Sequence, residues 1–138
     1  MRLLAVDFGE KRIGLAVSDE GGEVVVPVGA LSRTSDADAA AAVTAAARER
    51  GVGRLVVGHP VRTGGAETLL ARRARNFARR LAEASGLPVD LHGEALTSRA
   101  ADAALDEAGT RGRRRRGARD AEAAAVLLRD YLAARGAR

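Results

Sequence analysis

Leu3-Leu4-Ala5-Val6-Asp7-Phe8-Gly9-Glu10-Lys11-Arg12-Ile13-Gly14-Leu15-Ala16-Val17 is the stretch that decides the architecture. Leu3 to Phe8 is apolar except at Asp7, Gly9 permits a turn, and Ile13 to Val17 resumes as a second short apolar run. Together they predict a β-hairpin. Outward from it, the Glu20-Gly21-Gly22 turn introduces a valine-rich strand over Glu23 to Leu31, in which Pro27 predicts an edge position or a bulge. Ser35 followed by Asp38 matches a capping box with aspartate in the acidic place, so an alanine-rich helix is expected to about Arg50, where Gly51 stops it. Arg54 to Gly58 reads as a buried strand and Ala66 to about Ala84 as a helix, with Leu70, Ala74, Phe77 and Leu81 toward the core and Arg72, Arg75 and Arg79 toward water. Gly86 and Pro88 end that helix ahead of a fifth strand, Val89 to about Gly93. A short helix over Ser98 to Glu107 and a last one from about Asp120 to Ala134 follow. Three strands in hairpin order and then alternating helix and strand predict an α/β domain. Its mixed five-stranded sheet is antiparallel on the early side and parallel after the crossovers, with helices on both faces.

The 138 residues, 46% of them hydrophobic, suit one domain over 1–138 with a single core. No run approaches the roughly 20 apolar residues of a membrane span, and the opening apolar run contains Asp7, unlike a signal sequence, so a cytoplasmic protein without a membrane partner is expected. Cysteine is absent, which excludes disulfides, thiolate catalysis and cysteine zinc sites and leaves oxygen or histidine to hold any metal. The net charge of +5 is concentrated in Arg111, Arg113, Arg114, Arg115, Arg116 and Arg119, which have no acid between them. This segment is read as a flexible arginine-rich loop, 109–119, that meets a polyanion, because neutralising phosphates releases counterions. A merely solvated loop is the plainer alternative. With Phe8, Phe77 and Tyr131 as the only aromatic residues, base stacking on an aromatic row is not expected.

Asp7 shares the face of Leu3 and Ala5 by strand alternation, where an ionised carboxylate is costly unless paired or metal-bound. An aspartate accepting hydrogen bonds from the Gly9-Glu10-Lys11 turn fits that residue equally well. Glu94 directly follows the fifth strand, at the end of a parallel sheet where active sites gather, although position alone fits a solvent-exposed acid better. Asp120 has the helical spacing of Ala124, Leu127 and Tyr131 and should point inward, while also suiting an N-cap or first turn. Asp7, Glu94 and Asp120 would suit Mg²⁺ or Mn²⁺, and two such ions about 4 Å apart would stabilise both the attacking and the leaving oxygen of a phosphodiester. Lys11, the one lysine, and Arg12 could hold the scissile phosphate or form a solvated hairpin tip. Thr63-Gly64-Gly65 reads as a turn, with a phosphate contact as the alternative. His59 and His92 read as satisfied histidines rather than catalysts.

The run Ala5 to Asp19 closely resembles the opening motif of the YqgF family, also called RuvX. The resemblance continues through Val56-Val57-Gly58-His59-Pro60, Gly65-Ala66-Glu67, Glu94-Ala95-Leu96-Thr97-Ser98 and Asp120 to Leu128. It implies a ribonuclease-H-like fold, an acidic catalytic and metal-binding triad at Asp7, Glu94 and Asp120, and a nuclease acting on the precursor of 16S ribosomal RNA or on four-way DNA junctions. RNA is favoured, because symmetric junction cutting needs a homodimer. The chain departs from the family where Asp-Glu-Arg-Leu-Thr becomes Gly93-Glu94-Ala95-Leu96-Thr97, where leucine becomes His59, and where Met-Asp-Gly becomes Thr63-Gly64-Gly65. The run Arg113, Arg114, Arg115 and Arg116 is expected to restore the positive charge lost beside Glu94.

Two other classes compete. A non-catalytic nucleic-acid-binding protein on this fold would bind without metal and tolerate Asp7→Asn. A phosphotransferase is suggested by Asp7-Phe8-Gly9 with Gly14 downstream, but such enzymes close two lobes over a nucleotide, and this length supplies one.

Overall fold

The computed structural model describes residues 1–59, 68–93 and 112–136. The chain forms β1 (Arg2–Phe8), β2 (Arg12–Ser18), β3 (Val25–Ser32), α1 (Asp36–Glu49), β4 (Val52–His59), α2 (Leu69–Ser85), β5 (Val89–Gly93) and α3 (Gly112–Gly136). The five strands lie in one sheet of order β3-β2-β1-β4-β5. β1 pairs antiparallel with β2, and β2 with β3, whereas β4 runs parallel to both β1 and β5. This is the mixed sheet expected from the sequence.

The central strands β1, β2 and β4 are apolar on both faces because both faces are covered. On one side Leu4, Val6, Phe8, Ile13, Leu15, Leu55 and Val57 pack against Val43 and Ala47 of α1 and Phe77 and Leu81 of α2. The Phe8 and Phe77 rings meet there with centroids 4.9 Å apart. On the other side Leu3, Ala5, Ala16 and Val56 pack against Ala124, Leu127, Leu128 and Tyr131 of α3. Small residues on that face let the helix approach the sheet, and at Gly14 the helix backbone itself comes into contact.

Local signals account for the element ends. Ser35 caps α1, its Oγ accepting the Asp38 backbone N–H at 3.1 Å. Thr68 does the same for α2 through the Ala71 N–H, and Gly86 closes that helix in the left-handed conformation. Pro27 occupies an edge strand and pairs with Ala16 beside a register shift in the β2–β3 ladder, so both roles foreseen for it are met.

The arginine-rich segment corrects the sequence reading. Residues 112–119, expected within the flexible loop, are the first two turns of α3. Arginine is nearly as good a helix former as alanine, so a helix anchored by the buried alanines after Asp120 extends back through the run despite Gly112 and Gly117. The early start also overturns the reading of Asp120 as an N-cap. The expected short helix, Ser98 to Glu107, and the turn Thr63-Gly64-Gly65 lie outside the described residues.

Candidate active site

Asp7 lies near the C-terminal end of β1, directly opposite Gly14 of β2. Its neighbours two and four residues back, Ala5 and Leu3, face α3, and alternation puts Asp7 on the same side. Gly14 is where α3 arrives. A Cβ built on this glycine would stand 1.9 Å from the Asp120 carbonyl oxygen and 2.4 Å from its carbon. Only a glycine lets the helix backbone rest on the sheet there. Asp7 and Asp120, more than a hundred residues apart in sequence, thus flank one glycine at one end of the sheet.

The Asp120 side chain is largely buried, as its spacing with Ala124, Leu127 and Tyr131 required, and it receives the Arg12 Nε–H at 2.5 Å. Arg12 begins β2, so the hairpin itself supplies the cation that balances Asp120. Burying this carboxylate without a partner would be costly; the guanidinium and its hydrogen bond offset that cost. Gly9, Glu10, Lys11 and Arg12 of the hairpin join Arg119 and Asp120 of α3 around a hollow of about 250 Å³. Three cationic side chains therefore converge at the end of the sheet that carries the two aspartates.

The turn that carries Lys11 and Arg12 is held from behind by Arg33, a residue the sequence did not single out. Its Nε donates to the Gly9 carbonyl at 3.1 Å, a second guanidinium nitrogen donates to the Glu10 carbonyl, and its backbone N–H reaches the Lys11 carbonyl at 2.9 Å. The guanidinium lies 4.7 Å from the Phe8 ring centroid, an attractive cation–π placement, and pairs with Asp36 at 3.4 Å. Gly9 admits this tight turn because a Cβ there would come 2.6 Å from the Arg12 carbonyl.

Glu94, the third acid of the expected triad, lies outside the described residues, one position beyond the end of β5. Among the described residues no group of three or more acidic, histidine or cysteine side chains is arranged to hold a metal. The two aspartates are hard oxygen donors of the kind Mg²⁺ and Mn²⁺ prefer. Arg113, Arg114, Arg115 and Arg116 lie on the N-terminal turns of α3, which passes Gly14 at Asp120 and reaches the β2–β3 turn, where Leu132 approaches Gly22. The turns ahead of Asp120 consequently run outward from the end of the sheet that carries Asp7. Of the two histidines, His59 ends β4, while His92 in β5 has Nε2 2.7 Å from an Asp130 carboxylate oxygen and its ring edge-on to Tyr131. His92 is satisfied as expected. No helix among the described residues is long and apolar enough to cross a membrane.

Comparison with known proteins agrees with this architecture. The RuvX family, described as Holliday junction resolvase, matches residues 1–134. A protein of Anaeromyxobacter dehalogenans strain 2CP-1 named "Putative pre-16S rRNA nuclease" is 46% identical over 132 residues, covering 96% of each chain. A protein of the same name from Anaeromyxobacter sp. strain Fw109-5 is 44% identical over 138 residues, covering 99% of this chain and all of the relative. Among solved structures, T. thermophilus RuvC in complex with Holliday junction substrate superposes with a TM-score of 0.58 at 19% identity, covering 99% of this chain and 96% of that one. The likeness to RuvC is one of fold and agrees with the ribonuclease-H-like arrangement. With a family match over nearly the whole chain and relatives aligned end to end, the chain belongs to the RuvX family.

Proposed function

We propose that the protein is a nuclease that hydrolyses phosphodiester bonds at the Asp7–Asp120 end of the sheet, with precursor 16S ribosomal RNA as its substrate. The observation that supports this reading is the Gly14 contact, which brings the segments carrying Asp7 and Asp120 to one end of the sheet, where Asp120 lines a hollow with Lys11, Arg12 and Arg119. Carboxylates alone would repel a phosphodiester. Carboxylates with bound cations attract it, and the donor set suits Mg²⁺ or Mn²⁺. Asp7 and Asp120, joined by Glu94 from the segment after β5, would hold two ions, which when bound neutralise the phosphate and stabilise the charge developing on it.

The remaining roles belong to the chain's own side chains. Lys11 and Arg12 lie on the hairpin above the acid pair and bind the non-bridging phosphate oxygens, Lys11 as a point charge and Arg12 as a planar fork. Arg12 already touches Asp120 and so sets phosphate and carboxylate in register. Arg33 fixes the turn that presents both cations. Arg113 to Arg116 belong to the helical extension of α3 ahead of Asp120 and would bind the substrate backbone outside the cut. The relatives' name favours RNA as substrate, and a cytoplasmic location follows from acting on a ribosomal precursor. A second reading, cleavage of branched DNA, is favoured by the family's description and would require a homodimer to make two symmetric cuts.

The test compares the protein with Asp7→Asn on labelled precursor 16S RNA and on a four-way DNA junction, each with Mg²⁺, Mn²⁺ or EDTA. The expected result is metal-dependent cutting of RNA that the variant loses by at least about a hundredfold. Binding without cutting under every condition would replace this reading with the non-catalytic one.

A further inference from the structure

Away from the acid pair, an open cleft of about 740 Å³ runs along the β5 edge of the sheet between α2 and the C-terminal part of α3. Its lining includes Arg54 from β4, Arg75 and Arg79 from α2, and Arg135 from α3, against a single carboxylate, Asp90 of β5. That carboxylate is already engaged: Arg54 donates to its Oδ2 at 3.0 Å, and the Tyr131 hydroxyl donates to the same oxygen. Arg54 Nε is buried and has no acceptor among the described residues. Arg135 is held in place, one nitrogen donating to the Tyr131 hydroxyl at 3.2 Å and its guanidinium lying 5.5 Å from the ring centroid. The cleft is thus a fixed concave surface with a strong excess of positive charge.

We propose that this cleft is a second binding surface for the phosphodiester backbone of the nucleic acid, distinct from the acid pair and occupied by the flank of the substrate. The proposal rests on the nuclease reading for the identity of the polyanion. Charge and geometry favour nucleic acid over the alternatives. A two-fold dimer through this face would set the same arginines against one another, which like-charge repulsion opposes. A base or other flat ligand would find two ring side chains in the lining, Tyr131 and His92, already packed edge-on against each other, with Arg135 over the tyrosine. A phosphate backbone matches the guanidinium forks directly. The direction is also suitable. β5 runs parallel to β1, so its Gly93 end lies at the end of the sheet that carries Asp7. On α2, Arg72, Arg75 and Arg79 follow one helical face for about 10 Å, the length of roughly three phosphates along one strand of a helical nucleic acid.

The test uses the full chain in EDTA, so that binding is read without cutting. Affinity for a labelled RNA duplex taken from the precursor, and for the four-way DNA junction, is measured across a salt series. The protein is compared with Arg75→Ala/Arg79→Ala and with Arg48→Ala/Arg50→Ala, which removes the same charge from the C-terminal end of α1. Arg48, Arg75 and Arg79 lie on exposed helix positions where alanine is the best helix former, and Arg50 is the C-cap just beyond α1; urea unfolding of both variants checks that folding is preserved. The expected result is that Arg75→Ala/Arg79→Ala weakens binding about tenfold or more and lowers the salt slope by about 2, while the α1 control moves the slope by less than about 1. Equal slopes in the two variants would overturn the proposal. So would a change in sedimentation with RNA affinity unchanged, which would make the cleft an interface between copies, or loss of polyglutamate binding alone, which would make it a peptide site. If the slope falls but the protein cuts nothing under any metal condition, the cleft stands and the nuclease reading fails. Cutting with an unchanged slope gives the reverse, and a chain that binds neither nucleic acid overturns both.

Discussion

Gly14→Ala is the sharpest perturbation of the site, because one methyl group is placed between the two segments that carry the aspartates. The new Cβ would stand 1.9 Å from the Asp120 carbonyl oxygen, 2.4 Å from its carbon and 3.2 Å from the Ala121 nitrogen, where ordinary contact begins at 3.4 Å. The obstacle is helix backbone, which cannot rotate aside as a side chain can, so α3 must withdraw by about 1.5 Å at this point. That helix is seated by Ala124, Leu127 and Leu128, all essentially buried, and lifting it loosens their packing. Overpacking of this kind costs roughly 1–3 kcal/mol, and a backbone clash in a close-packed face belongs at the upper end. Withdrawal also moves Asp120 away from Asp7. A misplacement on the order of 1 Å at a reacting centre costs on the order of a hundredfold in rate. Urea unfolding would read the first effect and cutting of labelled precursor RNA the second. Gly117→Ala, in the same helix, is the internal control: its Cβ meets nothing within 4 Å, so it should stabilise the protein by about 1 kcal/mol and leave the site in place. A Gly14→Ala variant with unchanged urea midpoint and undiminished cutting would refute the seating of α3 on Gly14, and with it the pairing of the two aspartates.

Arg33→Lys keeps the charge but cannot donate to both the Gly9 and Glu10 carbonyls, and should lose about 1–2 kcal/mol of stability while raising KM for RNA more than it lowers kcat. An unchanged KM would show that the hairpin turn holds its shape without the clamp. Tyr131 is the single tyrosine and the chain has no tryptophan, so its phenolate can be followed directly by absorbance. Burial, and then the hydrogen bond to the Asp90 carboxylate, push its pKa above the ordinary value of 10.0. The folded state therefore keeps a proton that the unfolded state has lost. The stability this contributes is fully present below pH 10.0 and disappears as pH rises through the folded pKa. The phenolate midpoint should lie above that of the urea-unfolded chain, and Tyr131→Phe should remove this component of the alkaline decline; coincident midpoints would contradict the assignment.

The sheet was legible wherever a residue's environment follows from its immediate neighbours. Two apolar runs about Gly9 made the hairpin readable, Pro27 marked an edge strand, and Ser35 marked the start of α1. The start of α3 was not legible, since glycines and six arginines without a compensating acid resemble a solvated loop; the helix exists because the buried alanines beyond Asp120 anchor it. The inward direction of Asp120 could be read from its spacing with Ala124, Leu127 and Tyr131, whereas its ion pair with Arg12 could not, because the partners lie 108 residues apart. Arg33 went unnoticed for the same reason: its hydrogen bonds reach back more than twenty residues to a turn in another element.

By itself the sequence determined the order of elements, the faces that had to be buried and the residue types able to carry metal-assisted phosphodiester chemistry. Those properties are set by composition and by the periods of strand and helix, which act over a few residues. Only the tertiary structure decided that Asp7 and Asp120 share one glycine, that Arg33 braces the hairpin, and that arginines from β4, α2 and α3 enclose one cleft. Each of these is a contact between remote segments; the first depends on how closely a residue without a side chain lets a helix approach a sheet, and the others on where packing brings long arginine side chains.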